Sequence, residues 1–127
     1  KVADIDGLPE MRIAALRLTD VVGAGQTGLS ARYTDALELH HVQVNADRGP
    51  AFAIESAGDL ELDDVTTRKP VAGSPVLRLA KSPGAILRNS RTFPGTETFL
   101  SAGAGELKSL HLEGNILDNA KTPTEAR

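Results

Sequence analysis

The sequence predicts an all-β fold, a right-handed parallel β-helix of about five coils, and internal repetition is the main reason. The pattern Leu-x-Leu-x-x-Val starts at Leu16, Leu37 and Leu60, and weaker copies start at Ala85 and Leu110. These starts are separated by 21, 23, 25 and 25 residues. Short segments of alternating apolar and polar residues, separated by Gly, Pro, Asn and Asp, indicate strands and turns rather than helices.

A second short strand is predicted inside each unit, starting at Gly28, Ala51, Val76 and Thr98. Each unit then consists of a strand, a turn, a second strand and another turn. A leucine-rich repeat of similar length would require a helical segment and an Asn/Cys turn signature in every unit, and neither recurs. Coils that stack in parallel satisfy each other's backbone groups, and parallel crossovers are expected to be right-handed.

The interior is predicted from the apolar positions of the repeat. Phe52 and Phe99 are expected to point inward, and Ala31 and Ser101 suit places where a narrow coil leaves little room. The leucines expected inside the stack are Leu16, Leu18, Leu37, Leu39, Leu60, Leu62, Leu87, Leu110 and Leu112.

Length and composition indicate one domain over residues 1–127, with no disulfide, thiolate metal site or cysteine nucleophile, because cysteine is absent. We expect a partial coil or N-terminal cap at residues 1–11, repeat coils at 12–117 and a polar tail at 118–127. There are 14 basic and 17 acidic residues, giving a net charge of −3, without a basic run. Nucleic acid is therefore not an expected partner, and no apolar stretch is long enough for a membrane span.

A polar position recurs just before the third apolar site of each repeat. Its residues are Asp20, His41, Asp64, Asn89 and Gly114. We interpret this position as a bend, because Asn, Asp and Gly tolerate left-handed backbone angles. The functional alternative is a binding stripe that includes His41 and Asp64.

The ionisable residues do not predict a site. His40 and His41 are adjacent and should point to opposite faces, and His111 lies three repeat starts away, so no zinc site is expected. Asp63 and Asp64 also fall on opposite sides of the strand path and are interpreted as turn residues. The predicted outward stripe of the first strand, read as a solvated face with charges alternating between coils, is Arg17, Thr19, Glu38, His40, Glu61, Asp63, Ile86, Arg88, His111 and Glu113.

Aromatic residues argue against an autonomous carbohydrate site. The chain has no Trp and one Tyr, Tyr33, and two of its three Phe residues are predicted to be inside.

Two segments resemble the closing coils of bacterial polygalacturonase-type proteins, glycoside hydrolase family 28. They are Gly7-Leu8-Pro9-Glu10-Met11, which precedes the first Leu-x-Leu-x-x-Val repeat, and Asn45–Ile54. The resemblance covers roughly residues 5–120. It implies a right-handed parallel β-helix, a periplasmic or secreted location, and inverting hydrolysis of pectic galacturonides by aspartates on successive coils.

The family's catalytic motifs, Asn-Thr-Asp, Asp-Asp, Gly-His-Gly and Arg-Ile-Lys, do not occur before the matching strands, and the Asp63-Asp64 pair falls in the other strand of its unit. The matching strands are preceded by Gln26-Thr27, Gly49-Pro50, Gly73-Ser74-Pro75 and Gly95-Thr96-Glu97. Inversion requires two carboxyl groups about 6.5–9.5 Å apart, and Glu97 alone cannot supply both. No catalytic, cofactor-binding or metal-binding residue is therefore assigned, and no cofactor is expected.

Two functions follow from this combination. The chain is expected to be the non-catalytic C-terminal β-helix portion of a polygalacturonase-like glycoside hydrolase acting on pectic polysaccharide, with the catalytic coils upstream. The alternative is a small stand-alone β-helix that serves as a structural or a carbohydrate- or protein-interaction module.

The ends of the stack determine the expected partners. At the N-terminus only Val2, Ile5, Leu8 and Met11 are available to shield the first coil. The expected partners at this end are upstream coils of the same protein or a second copy of the chain, and a polysaccharide is a further candidate partner. The polar segment 118–127, with its charges and proline, is expected to discourage strand addition at the other end.

Overall fold

The computed structural model describes all residues from 1 to 127. The chain folds into a stack of parallel coils whose strands form two sheets. Sheet 1 contains β1 (Ala3–Asp6), β2 (Ile13–Ala14), β4 (Leu29–Asp35), β6 (Phe52–Gly58), β8 (Leu77–Ala80), β10 (Thr98–Ala102) and β12 (Thr122–Ala126). Sheet 2 contains β3 (Arg17–Gly25), β5 (Glu38–Ala46), β7 (Glu61–Thr66), β9 (Ile86–Arg88) and β11 (His111–Glu113). Every pairing between these strands is parallel, and from β3 to β10 the chain alternates between the sheets. The predicted β-helix of about five coils is confirmed.

The repeat sets the register of both sheets. In sheet 2 the second leucine of each repeat pairs with its equivalent in the next coil, in the row Leu18, Leu39, Leu62, Leu87 and Leu112. In sheet 1 the corresponding inward row is Leu29, Phe52, Leu77 and Leu100. Spacings of 21 to 25 residues therefore differ only in the lengths of the turns.

The core is the interior of this stack. Leu37, Leu39, Leu60, Leu62 and Leu87 are fully buried, as predicted. The two predicted phenylalanines and both small interior residues are also buried.

At the ends of the stack, burial is incomplete. Leu16, Leu18 and Leu110 pack against the core but are only partly buried. The prediction for Leu112 is wrong, because its side chain is 46% exposed. It lies on β11, the last strand of sheet 2, and no further coil covers it.

Three corners in the coil use left-handed backbone conformations. The predicted bend is confirmed: Asp20, His41, Asp64, Asn89 and Gly114 all have φ between 54° and 64°. Non-glycine residues with positive φ also occur at two further corners, a Tyr33, Ser56 and Lys81 stack and an Ala15, Ala36 and Asp59 stack. The stacking of the corners follows from the register, which aligns equivalent residues of successive coils.

The C-terminal end contains elements that the repeat did not predict. A short helix, α1 (Ala104–Ser109), is inserted between β10 and β11. Both carboxylate oxygens of Glu106 accept backbone hydrogen bonds, from Lys81 at 3.0 Å and Ser82 at 3.2 Å, which fixes α1 against a corner. Within segment 118–127, β12 forms the exposed edge of sheet 1 and contains Pro123, a residue tolerated on edge strands. The structure contains no helix with the length and apolar character needed to cross a membrane.

The N-terminal segment completes sheet 1 but not sheet 2. β1 pairs with the first half of β4 and β2 with its second half, whereas β3 has no neighbour on its N-terminal side. Val2 and Ile5 pack against the core as expected. Leu8 and Met11 do not shield it and are 54% and 74% exposed, because they lie in the loop between β1 and β2.

Candidate functional site

The most connected group of ionisable side chains lies on the outer face of sheet 2. We call it the outer cluster; its members are Arg17, Glu38, His40, Glu61, Asp63 and Arg88. Two rows of paired residues produce it: Arg17, Glu38 and Glu61 in one row, and His40, Asp63 and Arg88 in the other. Because alternate residues of a strand share a face, both rows point outward together.

His40 is the centre of the outer cluster. Its Nε2 atom lies 2.9 Å from Oε1 of Glu38 and 3.9 Å from Oε2 of Glu61, and its Nδ1 atom lies 3.3 Å from Oδ2 of Asp63. The side chain is 19% exposed, and the side chains of these three acids are 21–27% exposed. The imidazole is therefore enclosed by carboxylates although it lies on an outer face.

Two arginines hold the acids of the outer cluster from either side. Nε of Arg17 lies 3.3 Å from Oε1 of Glu38. Arg88 contacts Oε1 of Glu61 and lies 3.8 Å from Asp63. Three carboxylates thus face two guanidinium groups, and His40 is the remaining group that can carry positive charge.

The pKa values in the outer cluster reflect its excess of carboxylates over guanidinium groups. The hydrogen bond with Glu38 raises the pKa of His40 above its ordinary value; Asp63 and Glu61 act in the same direction, and burial opposes them. The pKa of Glu38 is lowered by hydrogen bonds from His40 and Arg17. A hydrogen bond from Asn89 lowers the pKa of Asp63, with further contributions from His40 and Arg88. The carboxyl groups of Glu38 and Asp63 are therefore ionised at neutral pH.

His41 and Asp64 form a separate pair at the bend. Nδ1 of His41 lies 2.7 Å from Oδ2 of Asp64, and the His41 side chain is 62% exposed. The predicted separation of His40 from His41 is thus observed. His111 lies on exposed β11, outside the outer cluster.

The structure changes two expectations about the outward stripe. Charges do not alternate strictly between coils, because Glu38 and Glu61 are direct register partners. Their repulsion is offset by His40, which lies between them, and by the two arginines. Asp63 is not a turn residue, because it pairs with His40 and Arg88 within sheet 2 and its side chain belongs to the outer cluster. Asp64 occupies the bend as predicted. The alignment of like charges was visible in the repeat spacing, but the convergence of side chains on His40 was not.

A second surface feature is a groove of about 410 Å³ on the outer face of sheet 1. It crosses β1, β4, β6 and β8, and no aromatic residue lines it. Charges of both signs line it. Arg32 is paired with Asp6 at 2.7 Å, whereas Glu55 and Arg78 have no ion-pair partner.

Comparisons with known proteins give no relative: no family profile matches the chain, and neither curated proteins nor solved structures contain a significant match.

Proposed function

We propose that the chain is the non-catalytic C-terminal portion of a longer β-helix protein of the polygalacturonase type, whose upstream coils act on pectic polysaccharide. The observation that carries this proposal is the difference between the two ends of the stack. The sequence resemblance described above supplies the substrate class.

The N-terminal edge of sheet 2 has the character of an interior coil. β3 is nine residues long and contains neither proline nor lysine. It pairs with β5 along one edge, and its other edge, which faces the N-terminal end of the stack, is unpaired. Leu16, Leu18 and Val21 are only partly buried there. Their equivalents one coil later, Leu37, Leu39 and Val42, are fully buried. The apolar side chains of β3 therefore lack the neighbouring coil that would bury them.

The C-terminal edges have features that limit strand addition. β11 has only three residues, and β12 carries Pro123 and exposed polar side chains. Short edge strands and edge prolines are common means of preventing edge-to-edge pairing. A preceding coil is therefore the natural neighbour of β3, whereas strand addition is disfavoured at the opposite end, even though Leu112 is exposed there.

Hydrolysis is assigned to the upstream coils because of the chemistry of the acids here. The carboxylates of Glu38 and Glu61 approach His40 from either side, with all three ligand atoms within 4.8 Å of one another. Carboxylates this close leave less room than the about 6.5–9.5 Å required to place water for inversion. Glu38 and Asp63 are also held in the ionised form, which excludes either as a proton donor near neutral pH.

The proposal is tested by expressing residues 1–127 alone. We expect no release of reducing sugar from polygalacturonate, and we expect sedimentation velocity over a dilution series to show self-association through β3. Replacement of Leu18 with lysine places a charge on the inner side of this edge and should abolish the association.

Leu112→Lys is the matched control, because Leu112 occupies the same inward row at the opposite end. It should leave association unchanged. The proposal is contradicted by a monomer at all concentrations, by loss of association in Leu112→Lys only, or by an upstream reading frame that encodes no further coils.

A further inference from the structure

We propose that the outer cluster binds a first-row divalent cation such as Zn²⁺, through Nε2 of His40 and one carboxylate oxygen from each of Glu38 and Glu61. The three histidines of the chain do not converge on one site, so zinc cannot be bound by histidines alone. The structure instead combines one histidine with two carboxylates from neighbouring strands, a donor set of imidazole nitrogen and carboxylate oxygen that suits Zn²⁺.

The distances between the donor atoms fit a metal. Zn–N and Zn–O bonds of about 2.0–2.2 Å in tetrahedral geometry place neighbouring ligand atoms about 3.4 Å apart. The His40 nitrogen lies 2.9 Å from the Glu38 oxygen and 3.9 Å from the Glu61 oxygen, on either side of that value. The Glu38 and Glu61 oxygens lie within 4.8 Å of each other, which completes the three distances between donor atoms.

The backbone holds the three donors in this arrangement. Glu38 and Glu61 are direct register partners in β5 and β7, and His40 lies two residues beyond Glu38 on the same face. The parallel ladder thus fixes the spacing, as strands position a site more accurately than loops do.

Asp63 acts as a positioning residue for His40. Its carboxylate lies 3.3 Å from Nδ1 and accepts a hydrogen bond from that nitrogen, which leaves Nε2 directed toward the two glutamates. Histidine ligands in metal sites commonly have a carboxylate partner in this position.

The two arginines affect the proposed ligands differently. Nε of Arg17 lies 3.3 Å from Oε1 of Glu38, the oxygen nearest His40, so a cation bound there must displace this contact. Arg88 contacts Oε1 of Glu61, whereas Oε2 faces His40. Around His40 the outer cluster contains three carboxylates and two guanidinium groups, so its fixed charges favour a cation at Nε2.

An independent feature is a shallow depression of about 190 Å³ beside the proposed ligands. Glu38 and Glu61 form part of its lining, together with Leu60 and Ile86. His40 does not line this depression. Three protein ligands leave one coordination position free in a tetrahedral site, which a water molecule or a small anion can fill.

Zinc binding to the chelator-treated chain can be measured by isothermal titration calorimetry with ZnCl₂. We expect one Zn²⁺ per chain. His40→Gln and Glu61→Gln should each weaken binding by at least about tenfold, and Asp63→Asn by about 10–100-fold. Substitution with Co²⁺ should give a tetrahedral visible absorption spectrum that is lost in His40→Gln.

His41→Gln is the matched control. It removes the adjacent histidine, which also contacts a carboxylate but has no second or third ligand nearby, and it should leave the affinity unchanged. Far-UV circular dichroism checks that each variant is folded. Absence of saturable binding by the wild-type chain, equal affinity in His40→Gln, or an equal loss in His41→Gln would overturn the proposal.

Discussion

Replacement of Leu62 with aspartate is expected to abolish folding of the chain. Leu62 is fully buried on β7, the middle strand of sheet 2, between Leu39 and Leu87 of the neighbouring coils. No cation lies inside the stack to pair with the new carboxylate, and burying an unpaired charge costs more than a domain's usual stability of about 5–15 kcal/mol can offset. Far-UV circular dichroism and urea denaturation would report the loss.

The same substitution at Leu112 is the control. Leu112 belongs to the same inward row but is the exposed last member, so its aspartate variant should remain folded. Leu62→Ala should lower the free energy of unfolding by about 2–5 kcal/mol, since it leaves a cavity without adding a charge. A folded Leu62→Asp, or equal effects at the two positions, would contradict the stacked core.

Replacement of Asp64 with valine is expected to lower the free energy of unfolding by about 1–3 kcal/mol. Asp64 has a φ of 54° at the bend of its coil, a conformation that a β-branched residue adopts only with strain. The comparison is with Asp64→Gly, which removes the same contact with His41 but adopts positive φ freely.

Urea denaturation of the two variants separates backbone strain from the loss of the Asp64 side chain. Glycine should be tolerated much better than valine. If both variants lost the same stability, the contact with His41 would be the important feature, and the bend interpretation would fail.

The repeat made most of the fold predictable from the sequence. Leu39, Leu62 and Leu87 recur at spacings that only stacked coils can align, and Asp64 and Asn89 mark a corner by residue type. The other corners could not be predicted in this way, because Tyr33 and Ala36 adopt positive φ for reasons of position in the coil and not of intrinsic preference.

The ends and the outer cluster were harder to predict for a different reason. Leu112 has the same sequence pattern as buried Leu87, and its exposure depends only on the absence of a neighbouring coil. The helix at Ala104–Ser109 occupies a single turn between strands, so repetition gives no signal for it. The approach of Glu38 and Glu61 to His40 depends on the directions of three side chains on two neighbouring strands, which periodicity alone leaves undetermined.

The bend, the outer cluster and the unpaired edge all depend on the register between coils, and engineered disulfides test it most directly. The chain has no cysteine of its own. Val22 is the register partner of Gln43, which is in turn the partner of Thr66 in the next coil. Neighbouring strands are about 4.8 Å apart and alternate strands about 9.6 Å apart. A disulfide needs Cα atoms about 4.4–6.8 Å apart.

Mild oxidation of dilute Val22→Cys/Gln43→Cys protein, followed by peptide mapping, should therefore give an intramolecular disulfide. The Val22→Cys/Thr66→Cys variant should remain reduced under the same conditions. Equal oxidation of both variants, or oxidation of the second variant only, would contradict the stacking of 21- to 25-residue coils in this register.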